Sequence, residues 1–298
     1  MGEIDLSKSV AYVEQDEGLI KYDIFKHNKR EFRGTRPKWK EDYGICLGSA
    51  HTFGRYVETP YPELLQKNLG MQVVNYAIPS ATSLCYLSKD TIMDTINGAK
   101  FVVIQMLSAR TSFNSETCYM GGNRLVRTFD GHEKKISCMQ YWRDRLENDD
   151  PAKLYNLISE SRASYVKQFS SLLKNIKPKK ILFWFSVRKP NHTLSKKNKG
   201  YGEFYGQFPQ LVNKDMVNTI RSYADCYVEL ASKKGLPTKF IDEEGDSIDM
   251  EYSFRKKFAP KDPLANKTKS ENSYYPSPEM HVQASDLLIP VCDRILKK

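Results

Sequence analysis

The stretch Tyr43 to Gly70, YGICLGSAHTFGRYVETPYPELLQKNLG, sets a short apolar strand (Ile45, Cys46, Leu47) against a small-residue turn (Gly48-Ser49-Ala50) and a helix from Pro60 to Leu69 closed by Gly70. A proline at a helix start and a glycine just past its end are the usual punctuation, because proline needs no N–H there and glycine accepts the left-handed exit. Ligands of open α/β sheets bind just beyond strand ends of this kind. A tight strand-to-helix connection with no ligand fits the same residues, so the neighbouring segments have to decide.

Working outward, the same unit recurs. Met71–Tyr76 reads as a strand, Ala77 to Thr82 as a turn, and the residues on to about Ile96 as a helix. Lys100–Leu107 (KFVVIQML) is a continuous apolar run of the type buried on both faces of a parallel sheet. Pro151 opens an amphipathic helix to about Ile176, Lys180–Val187 and Cys226–Leu230 supply a fourth and a fifth strand, Met216–Ala224 is helical, and a last helix opens near His281. The alternation predicts a three-layer α/β/α sandwich around a parallel sheet of about five strands. Residues 1–40 read as an irregular N-terminal arm that could lend an arginine to a site. Residues 41–298 read as one domain with insertions at about 108–150, 188–210 and 236–273.

With 298 residues, 40% of them hydrophobic, the chain can build a substantial core. No run of about 18 apolar residues appears and the first residues are polar, so the expectation is a cytoplasmic protein without a membrane span. Six cysteines are scattered without a CxxC pair, which implies reduced thiols and no metal site. The triplets at Asn191 and Asn266 match a glycosylation pattern that has no meaning without a secretory route. A formal charge of +10 is concentrated in Arg188–Lys199 and Arg255–Lys269. Such runs attract nucleic acid, anionic glycans or phosphate-bearing ligands, or are solvated surface, and no nucleic-acid-binding motif accompanies them. Asp242-Glu243-Glu244 with Asp246 and Asp249 lacks calcium-loop spacing and reads as a solvated turn.

Val73 to Thr82 (VVNYAIPSAT) resembles the second block of the SGNH (GDSL-type) hydrolases, and Tyr274 to His281 (YYPSPEMH), followed directly by a helix, resembles their last block, whose histidine is the general base. Arg30–Gly34, Leu47–Arg55 and Phe101–Arg110 more closely resemble an uncharacterised bacterial family with an SGNH-like layout. The resemblance implies an SGNH/flavodoxin-like fold and a catalytic histidine at His281. It also exposes departures. Ala50 falls where the nucleophilic serine belongs, Pro278 falls where the orienting aspartate belongs, and the block that normally carries an oxyanion asparagine reads Ser108-Ala109-Arg110 with Asn114 further on.

Three functions remain open. One is a transferase or esterase on a carbohydrate or polysaccharide, with His281 as base, Ser49 or Thr52 as a substrate-contacting hydroxyl, and backbone N–H groups near Ser49 and Ser80 stabilising negative charge. Another is a group transferase that binds an anionic donor, nucleotide- or coenzyme A-like, on the Gly48 turn with Arg55, Arg110 and Asn114, with His51 as acid or base. No Gly-x-x-x-x-Gly-Lys-Ser/Thr loop accompanies it, and no other cofactor is implied. The last is a non-catalytic glycan-binding protein whose loop aromatics Tyr119, Tyr141, Trp142, Tyr201, Phe204 and Tyr205 stack on sugars.

Overall fold

Five of the apolar runs form one parallel sheet: β1 (Tyr43–Leu47), β2 (Gln72–Asn75), β3 (Phe101–Gln105), β4 (Lys179–Ser186) and β5 (Cys226–Ala231). These come from a computed structural model that describes residues 11–87, 92–121, 124–129, 132–195, 200–241, 246–251 and 268–297. The strand order is β2-β1-β3-β4-β5, the flavodoxin-like order, so the chain reverses direction across the sheet between β1 and β3. The register places Ile45 beside Val74 on one side and Val102 on the other, and Val103 beside Ile181.

Both faces of this sheet are covered, which is why its strands lack polar alternation. Ile45, Leu47, Val102, Ile104, Leu182 and Trp184 point into one buried cluster, and Cys46, Phe101, Val103, Ile181, Phe183 and Phe185 into the other. The first cluster is capped by a long helix, Pro151–Asn175, through Leu154, Leu157, Ile158, Tyr165, Phe169, Leu172 and Leu173. Asp150 accepts from the Lys153 N–H at 3.0 Å and Pro151 follows it, so this helix starts where its cap and its proline fall. The second cluster is capped by Tyr61–Leu69 and Pro278–Leu296 through Tyr61, Leu65, Met280, Ala284, Leu288 and Cys292. Each fully buried large side chain contributes roughly 1.5–3 kcal/mol. No helix among the described residues is long and apolar enough to cross a membrane.

Several expectations are corrected. The N-terminal arm is not irregular where it is described: it holds a short helix, Ala11–Gln15, and an antiparallel hairpin, Ile24–His27 with Arg30–Arg33, whose Phe25 and Phe32 enter the main core. The 108–150 insertion contains a three-stranded antiparallel sheet, Thr117–Gly121, Arg124–Phe129 and His132–Ser137, followed by the helix Cys138–Asn148. The segment read as a helix up to about Ile96 is helical over Ser83–Leu87 and Ile92–Asn97, the residues between them lying outside the described set. Tyr119, Tyr141, Trp142, Phe204 and Tyr205 are buried, so these aromatics are packing and not sugar platforms. Of the basic runs, Lys196, Lys197, Lys199, Arg255, Lys256, Lys257, Lys261 and Lys267 lie outside the described residues, as do Asp242, Glu243 and Glu244. Arg188 is committed to backbone carbonyls of Lys189, Gln207, Pro209 and Val212 at 2.6–3.1 Å.

Candidate functional site

The carboxyl ends of β1 and β3 meet at the point where the strand order reverses, and that is where unusual polar groups collect. Gly48 ends β1. Its N–H donates to the Tyr86 hydroxyl at 3.1 Å, while its carbonyl accepts from that hydroxyl at 2.7 Å and from the Ile78 N–H at 3.0 Å. A Cβ at this position would collide with Thr52 Oγ1 and Gln105 Oε1, so the close approach requires glycine.

Gln105, the last residue of β3, is fully buried. Its Oε1 accepts from the Ser49 backbone N–H at 2.9 Å and from Thr52 Oγ1 at 2.8 Å. A backbone N–H can only donate, so the amide cannot be turned round, and the Gln105 Nε2 is left as a buried donor without a partner. Ser49 Oγ lies 3.5 Å from the same Oε1, and Thr52 Oγ1 is also 3.1 Å from the Tyr61 hydroxyl. Both hydroxyls are buried, so the structure makes Thr52 a brace between β3 and the helix Tyr61–Leu69.

His281 sits in the first turn of Pro278–Leu296, a helix capped by the Ser277 hydroxyl, which accepts from the Met280 N–H at 3.2 Å. It has no exposed surface. Its ring lies parallel to Tyr61 at 6.0 Å and edge-on to Phe185 at 5.2 Å. Its Nδ1 accepts from the Tyr61 backbone N–H at 3.0 Å, and its Nε2 has no partner. In a serine-hydrolase triad Nδ1 donates to a carboxylate, which leaves a lone pair on Nε2 to take the nucleophile's proton. Here the donor at Nδ1 fixes the opposite tautomer, with the proton on Nε2. Burial, then the charge of Arg33, and any proton placed on the neighbouring His51, push its pKa well below the ordinary value and hold the ring neutral. His281 therefore presents an N–H, not a lone pair, at Nε2, an arrangement unlike the general base that the resemblance implies. Placing a hydroxyl at the position that the resemblance aligns with a serine, Ala50→Ser, should give no ester hydrolysis above background on p-nitrophenyl acetate, and a serine-dependent burst would show that the tautomer is wrong.

His51 is the second buried histidine. Its ring stacks on Phe208 at 4.0 Å and meets Tyr274, Tyr275 and Phe185 edge-on at 5.7, 6.0 and 6.3 Å. Its Nδ1 is buried without a partner. Burial, and secondarily the charge of Arg110, press its pKa down to about 3, so the ring is neutral at physiological pH. Arg110 neighbours Cys138, Tyr274 and Tyr201 as well, and its backbone carbonyl accepts from Trp142 Nε1 at 2.7 Å, which ties it to the insertion helix. Gln210 closes the far side: its backbone carbonyl accepts from the Ala109 N–H at 3.0 Å, and its Nε2 donates to the Tyr274 hydroxyl at 3.2 Å.

The structure thus gathers Gly48, Ser49, His51, Thr52, Arg110 and His281 around one strand-end cluster, and it leaves other expected residues elsewhere. Arg55 is not available to an anion. It forms a double contact with the buried Asp16 at 2.7 and 2.9 Å, donates to the Tyr275 hydroxyl at 3.2 Å, and is stacked by Tyr12 at 4.0 Å and Tyr56 at 4.7 Å. Asn114 is a turn residue whose Oδ1 accepts from the Glu116 and Thr117 N–H groups at 2.9 Å and whose Nδ2 donates to Ser161 at 3.1 Å, so it supplies no oxyanion donor. Ser80 occupies a left-handed turn position, φ +60°, beyond β2. Gln105, Phe208, Gln210 and Tyr274 were not expected. The signal for Gln105 was a lone amide in the apolar run FVVIQML, since a buried polar group must find a partner. Among the described residues no three His, Cys, Asp or Glu side chains are grouped to hold a metal.

Residues 10–119, which contain all three of the closer sequence blocks, match the family model described as Domain of unknown function (DUF6473). No curated protein matches. Among solved structures, a lipase/acylhydrolase from Enterococcus faecalis aligns at 11% identity and a TM-score of 0.40 over 84% of this chain and 94% of its own. A catalytic variant of an acetylxylan esterase from Geobacillus stearothermophilus aligns at 13% and 0.36 over 84% and 93%. A gut microbial diltiazem-metabolizing enzyme aligns at 11% and 0.41 over 86% of this chain, which spans 48% of that enzyme's length.

Proposed function

We propose that the chain is an SGNH-like enzyme that removes or transfers a substituent on a carbohydrate by direct attack of water or an acceptor hydroxyl, without an acyl-serine intermediate. One observation carries this reading: His51, buried, neutral and with an unpartnered Nδ1, stands beside Arg110 at the switch point of the sheet. Unpaired polar atoms at such a place are costly to the fold, by roughly 1–3 kcal/mol each, and are kept where a ligand satisfies them. His51 is the acid–base or hydrogen-bonding group. Arg110 and the Gln105 amide stabilise negative charge on oxygen, and Ser49 and Thr52 hold Gln105 in place. Tyr274, with 36% of its surface exposed, forms the outer wall against which the saccharide rests.

His51→Gln should lower kcat/KM by about a hundredfold on a panel of O-acetylated, phosphorylated and sulfated saccharides, the low end of what a positioned acid–base group contributes. Ser49→Ala should stay within a few fold of the wild type. Equal losses in the two variants, or a covalent adduct trapped on Ser49 by mass spectrometry, would restore a serine mechanism. The neutral His51 also predicts no acid limb near pH 6.5 in kcat/KM.

A further inference from the structure

We propose that the groove beyond the carboxyl ends of β4 and β5 is a second binding site, for an acidic saccharide: a sugar chain carrying carboxylate, sulfate or phosphate groups. The groove has a volume of about 530 Å³. It is lined by Val187 and Arg188 just after β4, by Lys233 just after β5, and by residues between Asn191 and Gln207 that include the described part of the basic run. None of the strand-end cluster around His51 lies on it, so the site stands whether or not that cluster is catalytic. Gly206, also on the lining, takes φ +79°, a conformation that favours glycine. A Cβ there would meet the His192 ring at 3.0 Å and Arg188 Nε at 3.2 Å, so glycine is what lets these two side chains stand together.

The groove carries positive charge without a counter-charge. Arg188 spends four of its five N–H groups on the carbonyls of Lys189, Gln207, Pro209 and Val212. Those acceptors are neutral, so its charge stays uncompensated and one Nη1 N–H is left over. Arg162 stands beside it, donating from Nε to the Leu211 carbonyl at 2.8 Å, with its Nη2 buried and without a partner. Burial, then repulsion from Arg162, push the Arg188 pKa down to about 10. Lys233 adds an exposed ammonium. Among the described residues no carboxylate lies within ion-pair distance of these three cations, and Glu203, the acid on the lining, is exposed and outnumbered. An anion in the groove offsets the repulsion. The remaining groups suit hydroxyls. His192 Nε2 donates to the Phe204 carbonyl at 2.9 Å, since a carbonyl can only accept, and its Nδ1 is left as a lone pair. The exposed Asn191 and Gln207 amides and the Thr193 hydroxyl supply further donors and acceptors. Among the described residues, the lining offers a lipid one large apolar side chain, Val187, and offers a nucleic acid no Phe, Tyr or Trp on which to stack a base.

The test titrates the full chain by calorimetry at pH 7 with trigalacturonate, sulfated maltotriose, phosphorylated maltotriose, unmodified maltotriose and a dT oligonucleotide. At least one acidic trisaccharide should bind saturably, about tenfold or more tighter than unmodified maltotriose, and the tightest of the three names the anion. Lys233→Glu and Asn191→Asp each place a negative charge on the lining at an exposed side chain, so the fold should survive and affinity should fall about tenfold in each. Raising the salt concentration should weaken binding in the wild type and less so in Lys233→Glu, which has lost one ion pair. The proposal is overturned by no saturable binding of any acidic trisaccharide, by unmodified maltotriose binding as tightly, by the oligonucleotide binding more tightly than every saccharide, or by both variants binding as the wild type does.

Discussion

Arg33→Ala should lower the unfolding free energy by about 3–4 kcal/mol in urea titrations, one of the two largest effects expected of this structure. The Arg33 guanidinium is 5% exposed and donates to four backbone carbonyls: Phe53 at 3.2 Å, Gly54 at 2.6 Å, Val57 at 2.6 Å and Glu58 at 2.6 Å. Phe53 also accepts from the Asn75 amide and Gly54 from the Val57 N–H, so alanine leaves the Val57 and Glu58 carbonyls without a replacement. Hydrogen bonds from a charged donor are worth roughly 1.5–3 kcal/mol each, and water refilling the gap recovers part of that. Burial lowers the Arg33 pKa to about 10, against favourable contributions from Tyr22, Glu63 and Asp23, so the side chain stays charged at neutral pH. Lysine has only three donors, held at one point, and cannot span four carbonyls. Arg33→Lys should therefore recover less than half of the loss. A cost under about 1 kcal/mol for the alanine variant would mean that the turn 53–58 is held by Asn75 and the strand ends alone.

That arginine also shows what could and could not be read from the residues. The parallel sheet was legible because runs such as KFVVIQML and KILFWFSV are apolar without alternation, and only a sheet covered on both faces accommodates them. The hairpin Ile24–His27 with Arg30–Arg33 was not, because its turn is Asn28-Lys29, both at positive φ (49° and 64°), and a lysine there gives no turn signal. The antiparallel strands after Thr117 did carry a signal, Asp130-Gly131 between Phe129 and His132, which aromatic and glycine content obscured.

At the site, the Gly48 turn and the position of His281 were readable from strand-end spacing. Which His281 nitrogen carries the proton was not, since it is set by the backbone N–H of Tyr61, 220 residues away in sequence. The same limit hid the fate of Arg55. Its partner Asp16 lies in a polar segment that looked irregular, and only the fold brings the two together.

Acid should destabilise the protein steeply through its two buried histidines, and the second large effect follows from His51 alone. In the unfolded chain a histidine titrates near 6.5, whereas in the folded state burial and Arg110 hold His51 down to about 3. Above pH 6.5 both states are neutral at this residue and nothing is lost. As pH falls from about 6.5 toward 3 the unfolded chain takes up a proton that the folded chain refuses, so stability falls by about 1.4 kcal/mol for each pH unit, on the order of 5 kcal/mol in all. His281 is shifted in the same direction and adds to the slope. Urea unfolding between pH 6 and 4.5 should therefore show close to two protons of linkage from His51 and His281, besides what His27 and His192, also lowered by burial, add; His51→Phe should remove one proton while retaining the wild-type stability at pH 7 within about 2 kcal/mol. An unchanged slope in that variant would mean that His51 is protonated in the folded protein, with water or a carboxylate reaching its Nδ1. That outcome would also remove the neutral imidazole from the proposed site, because the stability slope and the absence of an acid limb in kcat/KM come from one cause: a ring desolvated between Phe208 and the two tyrosines at the mouth of the sheet.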